Sequence, residues 1–183
     1  MKILVVVDMQ NDFIDGALGT PEAQAIVPKV VEKIKKYKEK GDAVICTMDT
    51  HYPNYLDTME GKKLPVPHCI RLTDGWLLNK DVLEALGEYD DRWTTTEKRT
   101  FGSRAVTSLV HHHLWDGDTQ IDPAMIEVVG LCTDICVISN VMLLKAEFPN
   151  APIVVDSSCC AGVTPESHQR ALEAMKMCHI DIV

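Results

Sequence analysis

The sequence predicts a doubly wound α/β fold, a mostly parallel six-stranded sheet with helices on both faces in three layers. Three observations predict it. Short aliphatic and β-branched runs alternate about six times with stretches of helical period. The runs are continuous rather than alternating, as expected of strands buried on both faces. Their carboxyl ends carry charged or thiol residues, and open α/β sheets hold ligands at that edge.

Ile3 to Val7 is aliphatic throughout and stops at Asp8, so it reads as a central strand ending in an acid. After a loop holding Gly16 and Gly19, Thr20-Pro21-Glu22 opens a helix by the cap-then-proline rule. Ile26, Val27, Val30, Val31, Ile34 and Tyr37 form its apolar stripe, and Gly41 stops it. Ala43 to Met48 is a second strand ending at Asp49. Thr50 to Gly75 has no sustained period and reads as a long loop, a feature that is usually functional in a compact domain. A short helix from about Asn79 to Leu86 leads to a strand at Arg92 to Glu97, followed by Lys98. Ala105 to Leu114 is helical in pattern, and Met125 to Val129 is strand-like. Thr133 to Phe148 is a helix that Thr133 or Asp134 can cap, with Val137, Val141, Leu144 and Ala146 at helical spacing. Pro152 to Val155 reads as a strand ending at Asp156, Pro165 to Cys178 as a helix and Ile180 to Val183 as a last strand.

With 183 residues, 46% of them hydrophobic, the chain is expected to form one domain over residues 1–183. Its net charge of -9 argues against nucleic acid and anionic membrane surfaces as partners. Small molecules are the expected ligands, and the charge does not forbid a homo-oligomer. No apolar run approaches the ~20 residues of a membrane span. The start is interrupted by charge too early for a secretory signal, so the expected location is cytoplasmic. The seven cysteines are odd in number and lack paired zinc spacing, with Cys159 and Cys160 adjacent, which points to reduced thiols. His111-His112-His113 point three ways from a helix and read as a solvated helix end. A glycine-rich dinucleotide fingerprint and a phosphate loop are both missing.

The chemistry gathers at the strand ends. Asp8, Lys98 and, just past the turn after Val129, Cys136 bring an acid, an amine and a thiol to one edge of the sheet. Cys136 falls in the first turn of its helix, where the positive end of the helix dipole is expected to lower the thiol pKa and favour a nucleophilic thiolate. Buried, inert packing is the competing reading of that position.

Three segments carry a family resemblance: Val7-Asp8-Met9-Gln10-Asn11-Asp12-Phe13, Lys98-Arg99-Thr100-Phe101, and Gly130-Leu131-Cys132-Thr133-Asp134-Ile135-Cys136-Val137. In order and spacing they resemble the signatures of the isochorismatase-like cysteine hydrolases, end to end. The resemblance implies a triad of Asp8, Lys98 and Cys136, with Asp8 moving the thiol proton and Lys98 holding the thiolate. It also implies a cis peptide before Cys132, so that the backbone N–H groups of Cys132 and Cys136 form an oxyanion hole. Asp134 reads as a helix-start residue.

The loop at about 49–75 narrows the resemblance. Asp49-Thr50-His51 and Pro67-His68-Cys69 resemble the metal loop of nicotinamidases, implying one divalent metal on Asp49, His51 and His68. Zinc is the first choice, with manganese or iron as alternatives. Glu60 is the candidate fourth ligand and Asp57 its rival; Cys69 reads as packing. Phe13 resembles the aromatic that stacks on the substrate ring. Many relatives have a second aromatic three residues before His68, where this chain has Pro65 preceded by Leu64. Tyr55, Phe101 or Trp76 would have to supply that wall. The implied activity is hydrolysis of nicotinamide to nicotinate and ammonia through a cysteine thioester, in NAD salvage. The alternatives are a sister cysteine hydrolase of another small amide or ureide, and a non-catalytic binding protein on the same fold.

Overall fold

The computed structural model describes residues 1–88, 90–115 and 123–183. Six strands, all parallel, form one sheet in the order β3-β2-β1-β4-β5-β6. They are β1 (Lys2–Val7), β2 (Ala43–Asp49), β3 (Trp93–Lys98), β4 (Met125–Leu131), β5 (Ile153–Ala161) and β6 (Asp181–Ile182). From β1 the chain winds outward through β2 to β3, returns to β4 on the other side of β1, and winds outward again. The reversal lies between β1 and β4, and their carboxyl ends flank the crevice where this architecture holds ligands.

Helices α1 (Asn11–Ile14), α2 (Pro21–Glu39), α3 (Met59–Lys63), α4 (Lys80–Leu86), α5 (Arg104–His113), α6 (Ile138–Glu147) and α7 (Pro165–Met177) complete the chain. The long α2 and α4 pack together on one face, while α5, α6 and α7 pack side by side on the other. The three-layer expectation holds. Ile3 to Val7 are fully buried, as the unbroken aliphatic run required. Thr20 caps α2 by accepting from the Ala23 N–H, Pro21 opens it, and Gly41 follows it with φ +71°. Among the described residues, no helix is long and apolar enough to cross a membrane.

Three expectations need correction. The loop after β2 carries α3 and two 3₁₀ turns, Tyr55–Asp57 and Asp74–Trp76, too short to leave a period in the sequence. Strand β5 runs on past Asp156 to Ala161, through a register irregularity opposite Val128 and Gly130. Asp156 is therefore mid-strand and lies in an ion-paired cluster away from the site. Lys33 of α2 pairs with both Asp156 and Glu127, and the Tyr37 hydroxyl donates to Glu127 at 2.6 Å. The histidine run is not uniformly solvated either: His112 is exposed, but His111 pairs with Glu147 at 2.7 Å and His113 is half-buried against Thr94.

Burial works against the charge of Asp156, but its hydrogen bond from Lys33 holds its carboxyl below the usual range. A depressed carboxyl contributes stability above its unfolded pKa of ~3.9 and loses it as pH falls through the folded value. Lys33→Met should therefore cost about 3 kcal/mol at pH 7, where the Asp156 carboxylate is left without its cation, and less at pH 3, where the unpaired Asp156 carboxyl is protonated. Urea unfolding at the two pH values measures the difference.

Candidate active site

Strand β1 delivers Asp8 at its carboxyl end, with φ +47°, and its side chain is completely buried. Thr47 of the neighbouring β2 fixes it: the hydroxyl donates to Asp8 Oδ1 at 2.7 Å and accepts the Asp8 N–H at 3.2 Å. Lys98 arrives from β3, which is not adjacent to β1, so its side chain reaches across the end of β2. The register pairs Lys98 with Asp49. Its Nζ lies 2.7 Å from Asp8 Oδ2, 3.3 Å from Asp49 Oδ1 and 3.4 Å from Cys136 Sγ. The expected triad is thus assembled around one buried ammonium. Asp8 Oδ2 faces that ammonium, while Oδ1 is held by the Thr47 hydroxyl.

Gly130 lets β4 come close to β1 here. Its φ is +116°, and a Cβ would sit 2.1 Å from the Val7 carbonyl oxygen. The Leu131–Cys132 peptide is cis, as the resemblance implied. Cys136 then sits in a π turn, Thr133–Val137, rather than in the first turn of an α-helix. Neither Thr133 nor Asp134 caps that turn. Thr133 Oγ1 is 2.8 Å from His168 Nδ1, and the Asp134 carboxylate accepts the Val163 N–H, so both tie the turn to the start of α7.

The thiol differs from expectation in its electrostatics. Burial pushes the Cys136 thiol well above its ordinary value, the Asp8 charge adds to the rise, and Lys98 opposes it. Burial also raises the Asp8 carboxyl against the pull of Lys98. Lys98 itself is driven up by Asp8, Cys136 and Asp49 despite burial, so it stays an ammonium. Burial therefore favours the neutral thiol over the thiolate, against the pull of Lys98. Forming the thiolate means moving one proton between two groups that both hold it tightly.

The second cluster joins the first through Asp49. Asp49 Oδ2 lies 3.0 Å from His51 Nε2 and 3.6 Å from His68 Nε2, and Glu60 Oε1 lies 3.5 and 3.8 Å from the same two nitrogens. All four ligand atoms lie within 4.8 Å of one another. Metal–ligand bonds of about 2.1 Å set ligand-to-ligand edges of about 3.0 to 3.4 Å, so this set fits a divalent ion. His68 Nδ1 donates to the Val66 carbonyl at 2.8 Å, which leaves Nε2 as the acceptor facing the cluster. Burial opposes the Asp49 charge, yet His51, His68 and Lys98 hold its carboxyl well below the usual range. Glu60 is the fourth member, brought in by α3; Asp57 is exposed and outside the cluster.

A cavity of about 610 Å³ opens on both clusters and is lined by Asp49, Glu60, His68 and Cys136. Phe13 forms one wall, edge-on to His68 with ring centroids 5.4 Å apart. Of the three aromatics considered for the opposite wall, Phe101 lines the cavity. Tyr55 instead packs behind both histidines, and Trp76 donates to Thr50 Oγ1 at 2.9 Å outside it. Leu64, which precedes the Pro65 that stands where many relatives have an aromatic, also lines the cavity. Cys69 is buried packing, with its N–H given to Asp12 Oδ2 at 2.7 Å.

Sequence reasoning missed two buried amides. Gln10 clamps Asp49 from both sides, donating to its carbonyl at 2.9 Å and accepting its N–H at 2.7 Å. Asn140 accepts the Ser103 N–H and donates to the carbonyls of Phe101 and Cys136, tying the loop after Lys98 to the nucleophile turn. Asn140 had a signal, as a lone amide four residues after Cys136 on an apolar helix face; Gln10 had only its polarity.

Protein purified with zinc present is expected to hold about one ion per chain by elemental analysis. His51→Ala or His68→Ala should remove it, while Asp57→Ala should keep it, since Asp57 is outside the cluster.

The Isochorismatase domain matches residues 2–182. The nicotinamidase of Escherichia coli is 27% identical, covering 96% of this chain and 90% of that protein. A protein of Arabidopsis thaliana described as a probable inactive nicotinamidase is 26% identical over 94% of this chain and 87% of its own length. The pyrazinamidase of Pyrococcus horikoshii, solved in complex with zinc, superposes with a TM-score of 0.79 at 26% identity, over 100% of this chain and 98% of that one. With an aspartate, a lysine and a cysteine converging at the sheet's switch point and the match spanning nearly every residue, the chain belongs to the isochorismatase domain family.

Proposed function

We propose that the protein is a metal-containing amidohydrolase that converts nicotinamide to nicotinate and ammonia through a thioester on Cys136. The observation that carries this reading is the Lys98 ammonium, 2.7 Å from Asp8 and 3.4 Å from Cys136, beside a four-ligand cluster on the same cavity.

Asp8 accepts the thiol proton at Oδ2, the oxygen not held by Thr47, while Lys98 compensates the charge on sulfur. The thiolate attacks the carboxamide carbon, a C–S bond forms, and the carbonyl electron pair moves to oxygen. The N–H groups of Cys132 and Cys136 receive that oxyanion. Asp8 returns its proton to the amide nitrogen, the C–N bond breaks and ammonia leaves. Water then attacks the thioester with Asp8 as base, releasing the carboxylic acid and restoring the thiol. Phe13 and Phe101 hold the ring between them. Asp49, His51, Glu60 and His68 would hold the metal, zinc being preferred and manganese or iron alternatives. Bound there, the metal supplies a Lewis acid for the pyridine nitrogen. Acting on a small molecule, the enzyme would serve NAD salvage in the cytoplasm as a single domain.

The Arabidopsis relative described as probably inactive favours a second reading, a non-catalytic binding protein. Ammonia release from nicotinamide separates the two. Wild type should release it; Cys136→Ala should lose about 10⁴-fold or more of the rate, Asp8→Asn about 10²- to 10⁴-fold, and chelation should suppress it reversibly. Wild-type protein loaded with zinc that releases no ammonia would sink the amidase reading.

A further inference from the structure

The mouth of the cavity is built for more than an unsubstituted ring. Met59, Leu64, Phe101 and Val163 all line it, and they are 70%, 36%, 45% and 52% exposed. Water-exposed apolar side chains gathered around one opening mark a binding groove. A single ring held between Phe13 and Phe101 beside Cys136 leaves Met59, Leu64 and Val163 wet. The volume of about 610 Å³ also lies within the roughly 300–1,000 Å³ of sites that take drug-sized ligands.

The direction of the extra group follows from which side is closed. Asp8 and the Lys98 side chain are fully buried and lie behind Cys136 rather than on the cavity wall. The leaving nitrogen must reach Asp8 to take its proton, so it sits at the closed end and has no room for a substituent. Any extension is on the acyl side. With the carboxamide on Cys136 and the ring nitrogen toward Asp49, Glu60 and His68, the ring carbon between them faces the floor. The carbon opposite it, C5 of a nicotinamide, faces the mouth.

We propose that the substrate is a primary aromatic carboxamide carrying an apolar substituent at this outward position, seated against Met59, Leu64, Phe101 and Val163. The proposal rests on the amidase reading above, and its test separates the two. Binding of nicotinamide, 5-methylnicotinamide and 5-propylnicotinamide to Cys136→Ala protein is measured by calorimetry. Wild-type kcat/KM is measured for the same three amides and for N-propylnicotinamide.

A buried methylene contributes about fourfold, so a partly wet propyl group should improve both Kd and kcat/KM about tenfold over nicotinamide. Met59→Ser should cut that ratio to about threefold. N-propylnicotinamide should release no propylamine. Equal or weaker binding and turnover of the propyl compound, in protein that hydrolyses nicotinamide, overturns the extension and leaves the amidase reading standing. Propylamine release faster than ammonia release from nicotinamide overturns the assigned direction. No turnover of any amide overturns both.

Discussion

The site depends on a single buried cation. Lys98 comes from an edge strand two places from β1, and its side chain crosses the end of β2 to meet Asp8, Asp49 and Cys136 with no exposed surface of its own. Taken out of water, an unpaired ammonium would cost several kcal/mol, and so would the carboxylates it faces. Each group is therefore held in place by the need of the others for opposite charge. The balance is still uneven, because Asp8, Asp49 and Glu60 face one ammonium. Burial pushes the Glu60 carboxyl up and the Asp49 charge adds to the rise, while His51, His68 and Lys98 oppose it. A divalent cation held by the two imidazoles and two carboxylates would offset the negative charge.

Asp49 makes the catalytic and ligand clusters mechanically one. One carboxylate oxygen faces Lys98 and the other faces both histidines. Its backbone is gripped on both sides by Gln10, whose side-chain nitrogen also donates to the Trp76 carbonyl. A shift of β2 by a fraction of an ångström would move ligand and triad together. Asn140 has the matching role across the cavity. It joins the turn of Cys136 to the loop that follows Lys98, so nucleophile and ammonium are spaced by a buried amide as well as by charge. Buried amides of this kind act only when every polar atom is matched, and in both residues the acceptor oxygen and the donor nitrogen have partners.

What the sequence revealed followed the strength of its periodic signals. Unbroken aliphatic runs located strands such as β1 and β4, and the Thr-Pro opening located α2, because burial on both faces and capping each leave a local residue pattern. Asp8, Lys98, Cys136, Asp49, His51 and His68 were legible as strand-end and loop residues of the right chemical type. Glu60 was legible only as one of two loop acids, since α3, which carries it inward, is five residues long. The strand after Pro152 was read too short because Asp156, Ser157 and Ser158 look like a turn; Lys33 on α2, distant in sequence, supplies the charge that keeps Asp156 within the sheet. The state of the Cys136 thiol was misread for a related reason. Position in a helix is local and visible, whereas burial by Asp8 and the cavity floor is tertiary and leaves no mark on neighbouring residues.

The two ends of the cavity divide the labour of recognition. At the closed end the polar groups are few, fully buried and gathered around Lys98. A buried site of that kind would reject an analogue that leaves its charges unmatched. At the open end the walls are aliphatic or aromatic and partly wet, and discrimination among shapes is worth little more than the area each buries. The doubly wound topology produces this division, since strand ends converge at the switch point while the α3 loop and the β5–α7 connection spread apart above it. On the proposed function, the chemistry would rest on residues from β1, β2, β3 and the β4 turn, while the acyl group would meet loop side chains such as Met59 and Val163.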